Sequence, residues 1–144
     1  MWTVLFAGVH VLTLAVGFAA VVARGRAFAR RDLSAAFEAD NWWGLAAVLW
    51  LVTGLARAFG GLDKGTAYYL ANSMFHAKMG LFVAVLLLEA WPMVTLIRWR
   101  IATARGATID TTPMGTFVWI NQLETAAVLL MPLAAVAMAR GVGM

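Results

Sequence analysis

The sequence predicts an all-α membrane protein, a bundle of four transmembrane helices running up and down, and three observations predict it. Hydrophobic residues make up 63% of the chain and the mean hydropathy is +0.83. Charged residues make up only 12%, against roughly 25% in soluble domains. The apolar residues also gather into four stretches, each long enough to cross a hydrocarbon layer about 30 Å thick. None of the intervening segments is large enough to form a soluble core, so residues 1–144 read as one integral membrane domain. The absence of cysteine excludes disulfides, thiolate nucleophiles and thiolate metal sites.

The first helix is expected over residues 2–23. The opening MWTVLFAGVHVLTLAVGFAAVVARGR has no basic region at its front and no small-residue cleavage signal, so it reads as a retained helix. His10, Leu14, Gly17 and Val21 share a face of it, and Gly17 admits a close neighbour. Arg24, Arg26, Arg30 and Arg31 then read as a loop, with DLSAAFEAD either an amphipathic lead-in or an early turn of the second helix. That helix is expected over 41–59, with Trp42 and Trp43 in an interfacial aromatic belt and Arg57 near its end. Asp40 and Asn41 are placed to cap it, or Asp40 to pair with Arg98 or Arg100.

The short loop GGLDKG makes the second and third helices antiparallel neighbours. The third helix is expected over 66–97, since TAYYLANS contains no breaker. Its 24 residues from Met74 to Ile97 span about 36 Å, enough for a tilted crossing. Pro92 predicts a bend near Leu88. Within GATIDTTPMG, Thr111 or Thr112 is placed to cap a fourth helix over 114–139, which carries Asn121, Gln122, Glu124 and Pro132.

Lysine and arginine set the expected orientation. Arg24, Arg26, Arg30, Arg31, Arg98, Arg100 and Arg105 follow the first and third helices, whereas the other side has Arg57, Lys64, Lys78 and Arg140. The arginine-rich loops are thus expected in the cytoplasm and both termini on the outer side. The net charge of +4 is explained by this topology and implies no nucleic acid.

Ionisable groups inside apolar spans are costly unless they face a partner, a wet cavity or a ligand. His10 lies about 12 Å into the first helix and His76 about 15 Å along the third, so the two imidazoles are expected at similar depth. Two axial histidines on different helices, with Arg57 and Lys64 for propionates, meet the requirements of a non-covalent haem b. His76 and Lys78 are separated by roughly 200° around their helix and so cannot serve one point. Lys78 and Glu89 share a face about 16 Å apart, the ends of a polar seam for a quinone headgroup, a porphyrin edge or waters. Glu89 and Glu124 fall at comparable depth, which suits proton transfer. Each ionisable group also has a structural reading, as a satisfied buried side chain or a cation reaching the interface. Trp50 and Trp119 are candidates for packing beside a ligand.

The segments AVLWLVTGLARAF, DKGTAYYLANSMFHAKMGLF and WPMVTLIRWR are similar to the four-helix bacterial membrane proteins catalogued as domain of unknown function 2214. The likeness includes Arg57, Lys64-Gly65, Tyr68, Tyr69, Asn72, Phe75, Lys78, Pro92 with Thr95, and Trp99-Arg100, with His10 and Glu124 in the outer helices. It implies a multi-pass protein of the bacterial inner membrane. His10 and MFHAKMGLF also resemble features of HemJ-type protoporphyrinogen oxidases, and more distantly of CopD-like domains, which implies b-haem. The leading expectation is therefore a haem-b redox protein that passes electrons to a quinone or membrane partner or oxidises a porphyrin. In it His10 and His76 bind iron, Arg57 and Lys64 face propionates, and Lys78, Glu89 and Glu124 act on substrate and protons. A non-catalytic small subunit or assembly factor of a larger membrane complex is the first alternative, and a homo-oligomer or such a complex is the expected assembly. Copper or solute transport is the second, with Met74 and Met79 bracketing His76.

Overall fold

Leucine, alanine, valine and methionine fill the long apolar stretches, and residues of this kind form helices that satisfy every backbone group internally, as a bilayer requires. The computed structural model of the chain, which describes residues 1–61 and 64–143, accordingly contains helices and, among the described residues, no strand. They are α1 (Trp2–Arg30), α2 (Leu33–Phe59), α3 (Thr66–Ala71), α4 (Ser73–Ala104) and α5 (Met114–Ala139). Four of them, all but α3, are long and apolar enough to cross a membrane. Leucines, valines and tryptophans such as Leu12, Val48, Leu87 and Trp119 stay exposed along all four, the apolar exterior expected of a bundle solvated by lipid.

The arginine-rich segment after residue 23 is helix, not loop. Alanine and arginine both favour helix, and Ala27 and Phe28 are buried against Ala36, Leu96, Met114 and Phe117, so α1 gains core by continuing. Arg31 closes it in the left-handed region, at φ 54° and ψ 33°. Asp32 then caps α2, its carboxylate accepting from the Ala35 amide at 3.0 Å, so only two residues separate the helices. DLSAAFEAD is thereby the beginning of α2, and Asp40 lies inside the helix rather than at its cap.

The expected third helix is divided. Asn72 adopts an extended conformation and accepts hydrogen bonds from the amides of Met74 at 2.8 Å and Phe75 at 3.3 Å, restarting the chain as α4. Its side-chain amide donates to the Val142 carbonyl at 3.1 Å and the Ser73 amide to Gly143 at 2.9 Å, so the turn after α5 pins the break. From there α4 runs through Pro92 as one helix. Of the preceding loop, Leu62 and Asp63 lie outside the described residues. Neither Thr111 nor Thr112 caps α5. Asp110 organises that turn instead, accepting from the amide and hydroxyl of Thr112 at 2.9 and 2.6 Å. Those two bonds hold its carboxyl below the usual carboxylate range, the hydroxyl contributing most.

In the bundle α1 packs against α2 and α5, and α4 packs against α5. Longer side chains join α2 to α4, with the Trp43 indole donating to Glu89 at 3.0 Å and Arg100 donating to Asp40 at 2.8 Å. An apolar layer of Val21, Trp43, Val85, Val128 and Met131 lies at the centre. Two polar regions flank it, and they contain the candidate site residues.

Candidate functional site

The start of α1, the end of α2, α3, the start of α4 and the end of α5 enclose a cavity of about 420 Å³. Its polar lining comes from His10, Trp50, Arg57, Lys64, Tyr69 and Lys78, and its apolar lining includes Phe75, Met131 and Met138. Gly54 permits this arrangement, since a Cβ there would stand 3.2 Å from the His10 ring. The Thr53 hydroxyl donates to the Leu49 carbonyl at 2.7 Å, so it accepts from His10 Nδ1 at 2.8 Å. This network assigns the proton to Nδ1 and leaves the Nε2 lone pair open.

Two more groups at this cavity lack hydrogen-bond partners among the described residues. The Trp50 Nε1–H is buried without an acceptor. Lys78 is half-buried and, among the described residues, forms no hydrogen bond or ion pair. Lys64 is otherwise occupied, donating to the Tyr68 hydroxyl at 3.1 Å above that ring. The sum is a concave, largely apolar space with cationic groups in its lining, which suits a ligand with an apolar body and an anionic head.

Beyond the central apolar layer lies a buried ionic network centred on Arg24, whose side chain is fully buried. Nη1 donates to Asp40 at 2.9 Å and to Glu89 at 2.7 Å, while Nη2 donates to Glu89 and Glu124, each at 2.7 Å. Nε donates to the Asn121 side chain at 3.1 Å. All five guanidinium donors are thus engaged, by residues from α2, α4 and α5. Arg100 adds a second cation to Asp40, and the Trp43 indole a donor to Glu89. Asn121 in turn donates to the Val21 carbonyl at 2.8 Å, and Gly25 leaves it room, since a Cβ there would come within 2.5 Å of its amide nitrogen.

His10, Arg57, Lys64 and Lys78 therefore gather at the cavity, and Glu89 and Glu124 meet on Arg24. The pairing of His10 with His76 is the expectation that the structure does not assemble. His76 lies in the first turn of α4, exposed, with Nε2 at 2.9 Å from the Leu70 carbonyl, and does not line the cavity. The reason is angular: Lys78 turns inward, and a residue roughly 200° away on the same helix must turn outward. Between Lys78 and Glu89 the lining is apolar rather than a polar seam: Trp43, Trp50, Val85 and Met131 line the space beside Glu89, and Trp50 and Met131 also line the Lys78 cavity. Trp43 belongs to the core rather than an interfacial belt, whereas Trp119 is exposed and Trp50 does line the cavity. Among the described residues, no group of three or more histidine, aspartate or glutamate side chains is arranged to hold a metal ion.

Sequence reasoning missed Arg24, which it assigned to a loop. The face His10, Leu14, Gly17, Val21 continues at helical spacing to Arg24 and Phe28, and that extension was the available signal. Thr53 carried none, because a lone threonine in an apolar span is unremarkable until its histidine partner is located.

No curated protein and no solved structure matches the chain, so the likeness to HemJ-type and CopD-like proteins rests on His10 and MFHAKMGLF alone. The family comparison gives a firmer result: the model of DUF2214, described as a predicted membrane protein, matches residues 2–143. With four helices able to cross a bilayer, this chain belongs to the DUF2214 family of membrane proteins.

Proposed function

We propose that this protein binds an amphiphile with an anionic head, a carboxylate or a phosphate, in the cavity between His10, Trp50 and Lys78. The observation that carries the reading is Lys78, an ammonium half-withdrawn from the surface without an anionic partner among the described residues. Such a group is expensive in an apolar setting, and a ligand anion removes the cost. Trp50 supplies a second unused donor at the same cavity. The volume of about 420 Å³ falls within the range of about 300–1,000 Å³ usual for small-molecule pockets. The aliphatic or ring portion of the ligand would lie against Phe75, Met131 and Met138.

A second reading has its own support in the open Nε2 of His10. An imidazole whose Nδ1–H is fixed by a hydrogen bond is oriented as axial ligands commonly are, and a haem b held by His10 with propionates near Arg57 and Lys78 would use it. Such a group would supply one-electron chemistry, while His10 and Lys78 bind and orient it. Extraction of the purified protein into organic solvent, followed by mass spectrometry and an absorption spectrum, separates the two. A colourless anionic lipid or quinone-like acid supports the first reading, and a haem spectrum lost in His10→Ala supports the second. Protein that carries neither, and takes up neither from added vesicles or hemin, contradicts both.

A further inference from the structure

The Arg24 network contains more negative groups than positive ones. Arg24 on α1 faces Asp40 on α2, Glu89 on α4 and Glu124 on α5, while Arg100 on α4 joins the network at Asp40. Two guanidiniums thus oppose three carboxyl groups, and α3, at the opposite end, contributes none. Ionisation of all three would leave one uncompensated negative charge within the bundle, a costly state in a medium of low dielectric.

The hydrogen bonds show where the excess falls. Every N–H of Arg24 is already engaged, and the Trp43 indole and Arg100 donate elsewhere in the network. Glu124 is fully buried, and its Oε1 has no hydrogen-bond partner among the described residues. Glu89 and Glu124 each accept from the same Arg24 nitrogen, Nη2, at 2.7 Å, which brings the two carboxyl groups together. Two carboxyl groups gathered on one guanidinium nitrogen repel each other when both are ionised, and one shared proton removes that repulsion.

We infer that Glu124 and Glu89 together hold one proton, carried on Glu124 and donated to Glu89, and that this pair is a proton-binding site within the membrane-spanning bundle. The bound proton makes the charges equal and gives Glu124 a donor in place of an unsatisfied anionic oxygen. Glu124 is sealed, whereas the Glu89 and Asp40 side chains are 14% and 13% exposed, so Glu89 is the more accessible member of the pair. When the proton departs, Glu89 and Glu124 are both anionic on one Arg24 nitrogen, a repulsion that favours rebinding of the proton. The site is separate from the His10 cavity, and its test does not depend on any ligand there.

The test is infrared spectroscopy of the full chain in nanodiscs at neutral pH, in H2O and D2O. The wild type should show a carbonyl band of a protonated carboxylic acid that shifts in D2O and disappears when the pH is raised. Glu124→Gln should lose the band while keeping the fold, because a glutamine amide reproduces the neutral acid, accepting from Arg24 and donating to Glu89. Glu89→Gln should lose it as well, since the two remaining carboxylates then balance the two guanidiniums. A wild type with no such band at neutral pH overturns the inference, as does a band that survives both substitutions. If Glu124→Gln fails to fold, the wild-type pH series and Glu89→Gln decide the matter in the same way.

Discussion

Arg24 is the residue on which most of the polar structure converges, and its chemistry predicts that lysine replaces it only in part. A guanidinium presents five donors in a fixed plane, enough for Asn121, Asp40, both oxygens of Glu89 and one of Glu124. A lysine ammonium has three donors at one point and would leave at least two acceptors unpaired. Arg24→Gln is expected to lower stability by about 3–5 kcal/mol, because it strands buried carboxylates without a cation. Arg24→Lys should recover only part of that loss. Unfolding in mixed detergent micelles, followed by helical circular dichroism, measures both, and a wild-type-like Arg24→Lys would show that charge alone suffices. At this scale the sequence was partly legible. Glu89 and Glu124 stand out as carboxyls in apolar spans, but their common partner was hidden among seven arginines that the topology rule already explained. His76 shows the opposite fault, a residue that matched a chemical pattern but lies in the first turn of α4, exposed and on the wrong side of its helix.

Among the elements, the division between α3 and α4 shows how one side chain can override helix propensity. TAYYLANS contains no proline or glycine, yet Asn72 leaves the helical conformation because its carbonyl oxygen can cap α4 while its amide binds the last turn of the chain. Asn72→Ala removes both functions and should cost about 1–2 kcal/mol. Hydrogen exchange should locate the effect in the first turn of α4 and at residues 140–143. Uniform protection along 66–78 in that variant would instead mean that α3 and α4 fuse when the cap is absent. The beginning of α2 was legible as one of two alternatives, and the absence of breakers did not reveal the α3–α4 break, because the partner of Asn72 lies 70 residues away. Element existence follows from apolar runs, whereas element ends depend on contacts that no local window contains.

For the whole molecule, the four long helices, the central apolar layer and the two flanking polar regions define a bundle with two chemically distinct halves. The unequal distribution of arginine predicts that the turn at Arg31 and Asp32 lies in the cytoplasm and that both termini lie outside. The chain lacks cysteine, so single cysteines placed at Thr3, Ser34, Thr108 and Val142, all exposed, give single labelling sites on this chain for reagents added outside intact cells. Thr3 and Val142 should react and Ser34 and Thr108 should not, while the reverse pattern would invert the assignment. The half nearest the termini contains the cavity, and the claim that it receives an anionic amphiphile is tested most directly by native mass spectrometry of the protein released from nanodiscs. The wild type should retain one anionic amphiphile per chain, and Lys78→Gln should bind it about tenfold or more weakly, as loss of a charge-assisted contact requires. A wild type that retains none, or a Lys78→Gln variant that retains the same ligand equally well, would contradict it.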